Sequence, residues 1–84
     1  MITAVNYINK IKWDRSENPD AFVFYYYDRV SKDLKSFNWR HIISKDEFSL
    51  ELEFAELDYP INVPIHRLRR IEKDGDTVWE RKVE

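Results

Sequence analysis

The chain has 84 residues, of which 43% are hydrophobic and 36% charged, and its formal net charge is −2. A chain of this length can bury one modest core and no second one, so we expect a single domain over residues 1–84. The acidic net charge argues against avid non-specific binding of nucleic acid, and the absence of cysteine excludes disulfides, thiolate metal sites and cysteine nucleophiles.

The N-terminal segment has no long apolar run, so we expect neither a signal peptide nor a membrane span, and a cytoplasmic monomer is the default. The same segment predicts a short helix over residues 4–12. Its apolar residues Val5, Ile8 and Ile11 recur at a spacing of three, and Thr3 can cap the first turn.

Residues 22–27 give the strongest strand signal, because nearly all of them are aromatic or β-branched. We expect this strand to be central and covered on both faces. A second, half-buried strand is predicted at residues 36–43, where apolar and polar side chains alternate. Its apolar face would carry Phe37, Trp39, His41 and Ile43.

The acidic segment, residues 46–58, has six carboxylates and no Lys or Arg. Its pattern suits a strand or a helix, and we favour a strand at residues 49–54. Residues 59–64, with Pro60 and Pro64, predict an extended connection. Asp74-Gly75 predicts a type I′ hairpin turn. The expected class is therefore α+β, an N-terminal helix followed by one small antiparallel sheet of four to five strands, which can curl and ends in a hairpin.

The hairpin turn implies a register for the last two strands, and the register implies two faces. Ile71 would pair with Val78, Arg70 with Trp79, and Leu68 with Arg81. One face would carry His66, Leu68, Arg70, Trp79 and Arg81, and the other Arg67, Arg69, Ile71, Val78 and Glu80. The cation–π pair of Arg70 and Trp79 is either structural or part of a stacking surface for a base.

His66-Arg67 combines a histidine donor with a planar guanidinium that matches phosphate oxygens. Neighbours on a strand point to opposite faces, so both can reach one ligand only at an edge, a bend or a bulge. The structural alternative pairs Arg67 with an acid such as Glu80. Similarly, Asp28-Arg29 is either a solvated strand end or an arginine that Asp28 orients towards a ligand.

Signals for other chemistry are weak. We expect Trp13 to pack in the core. His41 and His66 would form a ribonuclease-like pair only if the fold placed them one phosphate apart. The two histidines and the run of carboxylates match no metal-ligand spacing, so we expect no metal and no cofactor.

Four segments of the chain together resemble the RNA cyclic group end recognition domain family. These are Ile-Lys-Trp-Asp at 11–14, Tyr-Tyr-Asp-Arg at 26–29, Pro-Ile-His-Arg-Leu at 64–68 and Asp-Gly-Asp-Thr-Val-Trp-Glu-Arg at 74–81. Order and spacing agree with the family pattern. Leu68 and Glu80 are mild departures from it, and residues 44–62 match none of its blocks.

The resemblance implies a non-catalytic module that recognises RNA ends carrying a 2′,3′-cyclic phosphate, with RNA-processing proteins as further partners. The expected site consists of Arg29, His66, Arg67 and Arg81, supported by Trp13, Tyr26, Asp28 and Trp79. One bound negative charge needs only a small basic site, so the net charge of −2 is no obstacle. Two alternatives stay open: a protein-interaction domain that uses the acidic segment, and a weak ribonuclease or cyclic phosphodiesterase.

Overall fold

A computed structural model describes residues 4–14, 16, 18–46 and 48–81. The predicted cap Thr3, the side chain of Val5 and Glu47 of the acidic segment lie outside the described residues. In the described part, one helix precedes seven strands. They are α1 (Ala4–Trp13), β1 (Phe22–Asp28), β2 (Asp33–Asn38), β3 (Ile42–Lys45), β4 (Ser49–Leu52), β5 (Ile61–Pro64), β6 (Leu68–Lys73) and β7 (Asp76–Glu80).

The strands form two antiparallel sheets, one of four strands in the order β2-β1-β6-β7 and one of three in the order β3-β4-β5. The α+β class, the N-terminal helix and the terminal hairpin are confirmed. The single sheet of four to five strands is wrong, because the chain leaves the first sheet at the 3₁₀ turn Trp39–His41 and returns to it at the 3₁₀ turn Ile65–Arg67.

The turn Trp39–His41 also corrects the strand predicted over residues 36–43. The backbone N–H of Asn38 donates to Nδ1 of His41 at 3.0 Å, a local side-chain bond that replaces a ladder bond. As a result β2 ends at Asn38, and Ile43 of β3 is 51% exposed instead of facing the core. The strand predicted at residues 49–54 is present but ends at Leu52. The extended connection after it becomes a strand, β5, which pairs with β4.

The core lies between the helix and the two sheets. It contains Ala4, Ile8 and Ile11 of α1, Phe22, Phe24, Tyr26, Phe37, Leu68 and Ile71 of the first sheet, Leu50, Leu52 and Val63 of the second, and Ile65. Rings pack face to face at its centre, with the centroids of Phe24 and Phe37 5.2 Å apart. Aromatic rings supply large buried areas from few residues, which suits a core of this size.

Strand β1 is central, as predicted, but only one of its faces is fully buried. Phe22, Phe24 and Tyr26 point into the core, whereas Tyr25 and Tyr27 are half-buried on the other face. On that outer face the guanidinium groups of Arg69 and Arg70 lie 5.8 Å and 5.0 Å from the centres of the Tyr27 and Tyr25 rings. Trp13 is not a core residue either, since 76% of its side chain is exposed at the end of α1.

The hairpin turn is confirmed, because Asp74 and Gly75 have φ angles of 51° and 89°. The predicted register holds from Lys73↔Asp76 to Glu72↔Thr77 and then shifts, so that Ile71 lies opposite Trp79. The predicted pair of Arg70 with Trp79 is therefore wrong, and Arg70 lies opposite Glu80. The cause is a β-bulge at Val78, which adds one residue to β7.

A second bulge lies at Arg69, where Tyr25 pairs with Arg70 but Tyr26 pairs with Leu68. The extra residue turns Leu68 and Ile71 to the same face, and both are fully buried. The two predicted hairpin faces are wrong for this reason, since they separated Leu68 from Ile71. None of the helices in the described part of the chain has the length and the apolar run that a membrane span needs.

Candidate functional site

Three neighbouring grooves share lining residues, and two of them border the turn Ile65–Arg67. The hairpin groove is lined by Tyr27, Leu34, Arg69, Arg70, Glu80 and Arg81. The β5 groove includes Tyr26, Tyr27, Asp28, Lys35, Pro64 and Arg67. The Phe48 groove is lined by Phe48, Ser49, Pro64, Ile65, His66 and Arg81. Tyr27, Pro64 and Arg81 each belong to two grooves, so the three form one continuous surface.

This surface is basic although the chain is acidic overall. The grooves collect five lysine and arginine side chains, Lys35, Arg67, Arg69, Arg70 and Arg81, against two carboxylates, Asp28 and Glu80. His66 adds a further nitrogen donor. Since the formal net charge of the whole chain is −2, the remainder of the protein is more acidic than the average. An anion is therefore drawn to this side of the molecule.

Two guanidinium groups share one backbone acceptor at the centre of the surface. Nη1 of Arg69 and Nη1 of Arg81 each donate to the carbonyl oxygen of His66 at 2.7 Å. The two nitrogens are therefore no more than about 5.4 Å apart, twice the length of each bond. We call Arg69 and Arg81 the arginine pair.

The local fold explains why the arginine pair forms. Residues Ile65–Arg67 adopt a 3₁₀ turn instead of a strand, so the His66 carbonyl is not used in a sheet ladder and can accept from side chains. The bulge at Arg69 changes the direction of its side chain relative to a regular strand. The backbone N–H of Arg81 donates to the Arg69 carbonyl at 2.8 Å, which holds the end of β7 beside it.

Arg70 lies beside the pair but has a different environment. Its Nη1 is 3.5 Å from Glu72 Oε2 and its Nε is 3.8 Å from Glu80 Oε2, while its guanidinium lies 5.0 Å from the centre of the Tyr25 ring. Its charge is therefore compensated. Among the described residues, by contrast, no carboxylate lies within 4 Å of the arginine pair.

Aromatic rings lie next to both members of the arginine pair. The guanidinium of Arg69 is 5.8 Å from the centre of the Tyr27 ring, and that of Arg81 is 5.7 Å from the centre of the Trp79 ring. Such contacts hold a guanidinium in place by cation–π attraction without neutralising its charge. The predicted partner of Trp79 was Arg70, and the structure places Arg81 there instead.

The sequence-predicted residues fall into two groups on this surface. His66 and Arg81 lie together in the Phe48 groove, and Arg67, Tyr26 and Asp28 lie together in the β5 groove. His66 and Arg67 belong to the 3₁₀ turn between these grooves, not to a strand. The strict alternation that would force neighbours onto opposite faces therefore does not apply to them.

Arg29 is in the exposed turn after β1. Asp28 does not contact it there. The carboxylate instead accepts from Lys35 Nζ at 3.0 Å and from the backbone N–H of Val30 at 3.0 Å. The hydrogen bond from Lys35, followed by that from Val30, lowers the pKa of Asp28 below its usual value. Nearby, burial raises the pKa of the Tyr26 phenol, so this group stays neutral.

Trp13 lies away from the three grooves. Its indole ring has Lys12 Nζ 5.4 Å from its centre. Hydrogen bonds from Ser16 lower the pKa of the adjacent Asp14, and the charge of Lys73 adds a smaller effect in the same direction. Lys73 is at the hairpin-turn end of β6, which is the opposite end from Leu68 and the arginine pair. His41 is also employed structurally, since its Nδ1 accepts from Asn38 and its ring lies 4.5 Å from the ring of Phe54.

Arg69, Tyr27, Lys35 and Phe48 are groove residues that sequence reasoning missed. Alternation placed Arg69 on the face opposite Arg81, and only the bulge changes this. Phe48 lies in the acidic segment, where its neighbours drew attention to charge and not to the ring. One signal in the sequence did mark Phe48: it is a single aromatic residue directly before the strand predicted at residues 49–54.

In the part of the chain that the structure describes, an α+β fold places two guanidinium groups beside aromatic rings with no carboxylate within 4 Å, and guanidinium groups suit the phosphate groups of nucleic acids. The family model of the MJ1316 RNA cyclic group end recognition domain matches residues 1–81, and the chain belongs to this family. The family description names recognition of RNA cyclic group ends, which is consistent with RNA binding. No curated protein and no solved structure matches the chain.

In the described part of the chain, no group of three or more His, Asp or Glu side chains is arranged to hold an ion. The surface is built from guanidinium groups, aromatic rings and one exposed histidine. Such a set can bind and orient an anion.

Proposed function

We propose that the protein is a non-catalytic, single-domain module that binds RNA ends carrying a 2′,3′-cyclic phosphate. The observation that carries this proposal is the arginine pair on the His66 carbonyl. Its charges are held close together before any ligand arrives, and each guanidinium retains N–H groups that the carbonyl does not use. Family membership supports the same ligand.

Electrostatics favours an anion at this point. At the upper limit of about 5.4 Å for the separation of their Nη1 atoms, two positive charges repel by about 3 kcal/mol at an effective dielectric constant near 20, and by about 0.8 kcal/mol in bulk water. The carbonyl oxygen offsets part of this repulsion, and a phosphate between the two groups would offset the rest. Binding therefore relieves an unfavourable interaction of the free protein.

A cyclic phosphate suits the pair in shape as well as in charge. Its two ring oxygens are bonded to the ribose, so it presents two terminal oxygens and one negative charge, one oxygen for each guanidinium. A 3′-phosphate presents a third terminal oxygen and leaves the 2′-hydroxyl free, and both need further partners. We therefore propose that the pair selects the cyclic form.

The other residues have supporting roles in this proposal. His66 donates to the phosphate or to a ribose oxygen, and Arg67 approaches from the β5 groove. Arg29 contacts the preceding backbone phosphate. Tyr26 and Asp28 shape the β5 groove and hold Lys35 in it. Trp79 supports Arg81, and Trp13 offers a remote surface on which an upstream base can stack.

The test is a titration of short RNAs that differ only in the 3′ end, with a 2′,3′-cyclic phosphate, a 3′-phosphate or a hydroxyl. The variants are Arg67→Ala and Arg40→Ala, the latter a charge-matched control at an exposed residue of the turn Trp39–His41. We expect the cyclic end to bind most tightly, Arg67→Ala to weaken it and Arg40→Ala to leave the preference intact. Equal and negligible affinity for all three ends would overturn the proposal.

The same mixtures report on catalysis. After several hours the RNA ends are analysed for opened cyclic phosphates. We expect the cyclic end to persist. If it is hydrolysed by the wild type and not by His66→Ala, the protein is an enzyme and the non-catalytic part of the proposal is wrong.

A further inference from the structure

Phe48 is a groove residue that the phosphate site does not use. It lies between β3 and β4, its side chain is 77% exposed, and it lines the Phe48 groove together with His66 and Arg81. A large exposed ring costs solvation free energy in the unbound protein. At the rim of a basic groove, such a ring is positioned to contact a ligand.

The backbone of Phe48 is fixed on both sides. Its N–H donates to Oδ1 of Asp46 at 2.7 Å, and its carbonyl accepts from the N–H of Ile65 at 2.8 Å. The second bond joins it to the turn Ile65–Arg67, whose His66 carbonyl holds the arginine pair. The backbone that carries the Phe48 ring and the turn that holds the arginine pair therefore belong to one connected unit. The spacing of these backbone segments is set before the RNA binds.

The chemistry of the groove matches a nucleotide. Its volume is about 480 Å³, within the range of about 300–1,000 Å³ that small-ligand sites occupy. Pro64, Ile65 and the Phe48 ring supply an apolar wall, and Arg81 and His66 supply donors in the same groove. A base, which stacks through its flat face, joined to an anionic phosphate satisfies both parts, whereas an apolar peptide side chain would leave the guanidinium without a partner.

We propose that Phe48 is the stacking platform for the terminal base, and that the protein therefore selects RNA whose 3′-terminal nucleotide is unpaired. This inference rests on the proposed function, because the cyclic phosphate on the arginine pair places the attached base over the ring. A base at a duplex end is held by pairing and exposes only its outer face, and the helix fixes that face relative to the terminal phosphate, whereas an unpaired base can rotate until it lies flat against Phe48.

The test uses a short single-stranded RNA with a terminal adenosine 2′,3′-cyclic phosphate, and the same RNA with an abasic terminal ribose 2′,3′-cyclic phosphate. The variants are Phe48→Leu, which keeps an apolar side chain but removes the ring, and Phe48→Trp, which keeps a stacking surface. Tyr59→Leu is the matched control, because Tyr59 is an exposed aromatic residue, 65% accessible, that does not line the groove.

We expect the wild type to bind the adenosine end about five-fold or more tightly than the abasic end, the lower limit for stacking on an aromatic ring. Phe48→Leu removes this difference, and Phe48→Trp and Tyr59→Leu retain it. Affinity for the abasic end stays the same in all variants, because the phosphate contacts are intact. A blunt duplex with the same cyclic end binds more weakly than the single strand.

Three results would overturn the inference. Phe48→Leu could bind the adenosine end as tightly as the wild type, in which case the ring serves another partner such as a protein. It could lose affinity equally for both ends, which would show that the ring only positions the turn. The blunt duplex could bind as tightly as the single strand.

Failure of the proposed function gives a separate result. In that case the wild type does not distinguish a cyclic phosphate from a hydroxyl end. A base-dependent difference that disappears in Phe48→Leu would still establish the platform. Loss of all RNA binding would overturn both proposals.

Discussion

Replacing Arg81 by glutamine removes one guanidinium from the arginine pair and leaves a neutral amide donor at the end of β7. Two opposing effects on the free protein follow. The hydrogen bond from Nη1 to the His66 carbonyl is weakened, and the repulsion between Arg81 and Arg69 disappears. The two effects oppose each other in the stability of the free protein. Comparing the change in stability with the change in affinity for RNA therefore distinguishes a structural clamp from a binding site.

The magnitudes nearly cancel in the free protein. A hydrogen bond to a charged group contributes about 1.5–3 kcal/mol, and less where water competes. Repulsion at the upper limit of about 5.4 Å for this separation amounts to about 0.8–3 kcal/mol, depending on the effective dielectric constant. This separation is shorter than the Debye length of about 8 Å at physiological salt, so screening reduces the repulsion without removing it. We expect the free energy of unfolding to change by less than about 1 kcal/mol.

The bound protein behaves differently. A phosphate between the two arginines benefits from both charges, so the loss of one removes a charge-assisted hydrogen bond worth about 1.5–3 kcal/mol. The corresponding loss of affinity for an RNA with a 2′,3′-cyclic phosphate is about 10- to 100-fold. Arg40→Gln, at an exposed residue that lines none of the three grooves, controls for the change in net charge and should cost much less.

The assay combines urea denaturation of the free protein with titration of the labelled RNA, both for the wild type, Arg81→Gln and Arg40→Gln. The reasoning is refuted if Arg81→Gln lowers the free energy of unfolding by several kcal/mol and leaves the affinity for RNA unchanged. The arginine pair would then be a structural clamp, and its charges would have no ligand to hold.

Three further predictions concern stability. Gly75→Ala should lower the free energy of unfolding by about 1–2 kcal/mol in urea denaturation, because a φ of 89° strains any residue with a Cβ atom, although nothing lies within 4 Å of the position that this atom would take. Leu68→Ala should cost about 2–5 kcal/mol in the same measurement, since Leu68 is fully buried between the helix and the sheets. The hydrogen bond from Lys35 lowers the folded-state pKa of Asp28 below the value of 3.8 for a free side chain, so its contribution is present above pH 4 and is lost as the pH falls through the lowered pKa. Asp28→Asn should therefore be less stable at neutral pH and lose less stability on acidification, as followed by circular dichroism.

Each of these predictions has an outcome that contradicts it. An unchanged urea midpoint in Gly75→Ala would mean that the turn relaxes to another type. A loss below about 1 kcal/mol in Leu68→Ala would mean that the site collapses around the missing side chain. An acid transition in Asp28→Asn identical to that of the wild type would show that this carboxylate has no part in it.

Local signals were sufficient for the elements whose structure depends on near neighbours. The helix, strand β1 and the Asp74-Gly75 turn were predicted from periodicity, β-propensity and positive φ, and all three are present. These features need only residues within a few positions of each other. The predicted helix end at residue 12 is one residue short of the observed end at Trp13.

Register beyond the turn was not predictable in the same way. The bulges at Arg69 and Val78 lie where β6 pairs with β1 and with β7. A bulge moves every later side chain by one position, so the two missed bulges mixed the residues of the two predicted faces. The exit from the first sheet depends on the bond between Asn38 and His41, which strand alternation does not indicate.

Prediction of the candidate site depends both on local sequence motifs and on the tertiary structure. The chain motifs pointed to His66, Arg67 and Arg81, and these three residues do border the connected grooves. In the free protein the backbone carbonyl of His66 accepts from both members of the arginine pair, a contact that the sequence did not indicate. No motif predicts which carbonyl a tertiary fold leaves free.

The sequence by itself determined the class of the domain, its helix, its hairpin turn and a basic segment that resembles a family of RNA-end recognition domains. Only the tertiary structure decided that Arg69 joins Arg81, that Arg70 is neutralised by Glu72 and Glu80, and that Phe48 stands beside His66. The physical reason is the separation along the chain over which each effect acts. Propensity and turn chemistry act within a few residues, whereas the site depends on bulges and on a 3₁₀ turn that brings residues 15 positions apart, His66 and Arg81, into hydrogen-bond contact.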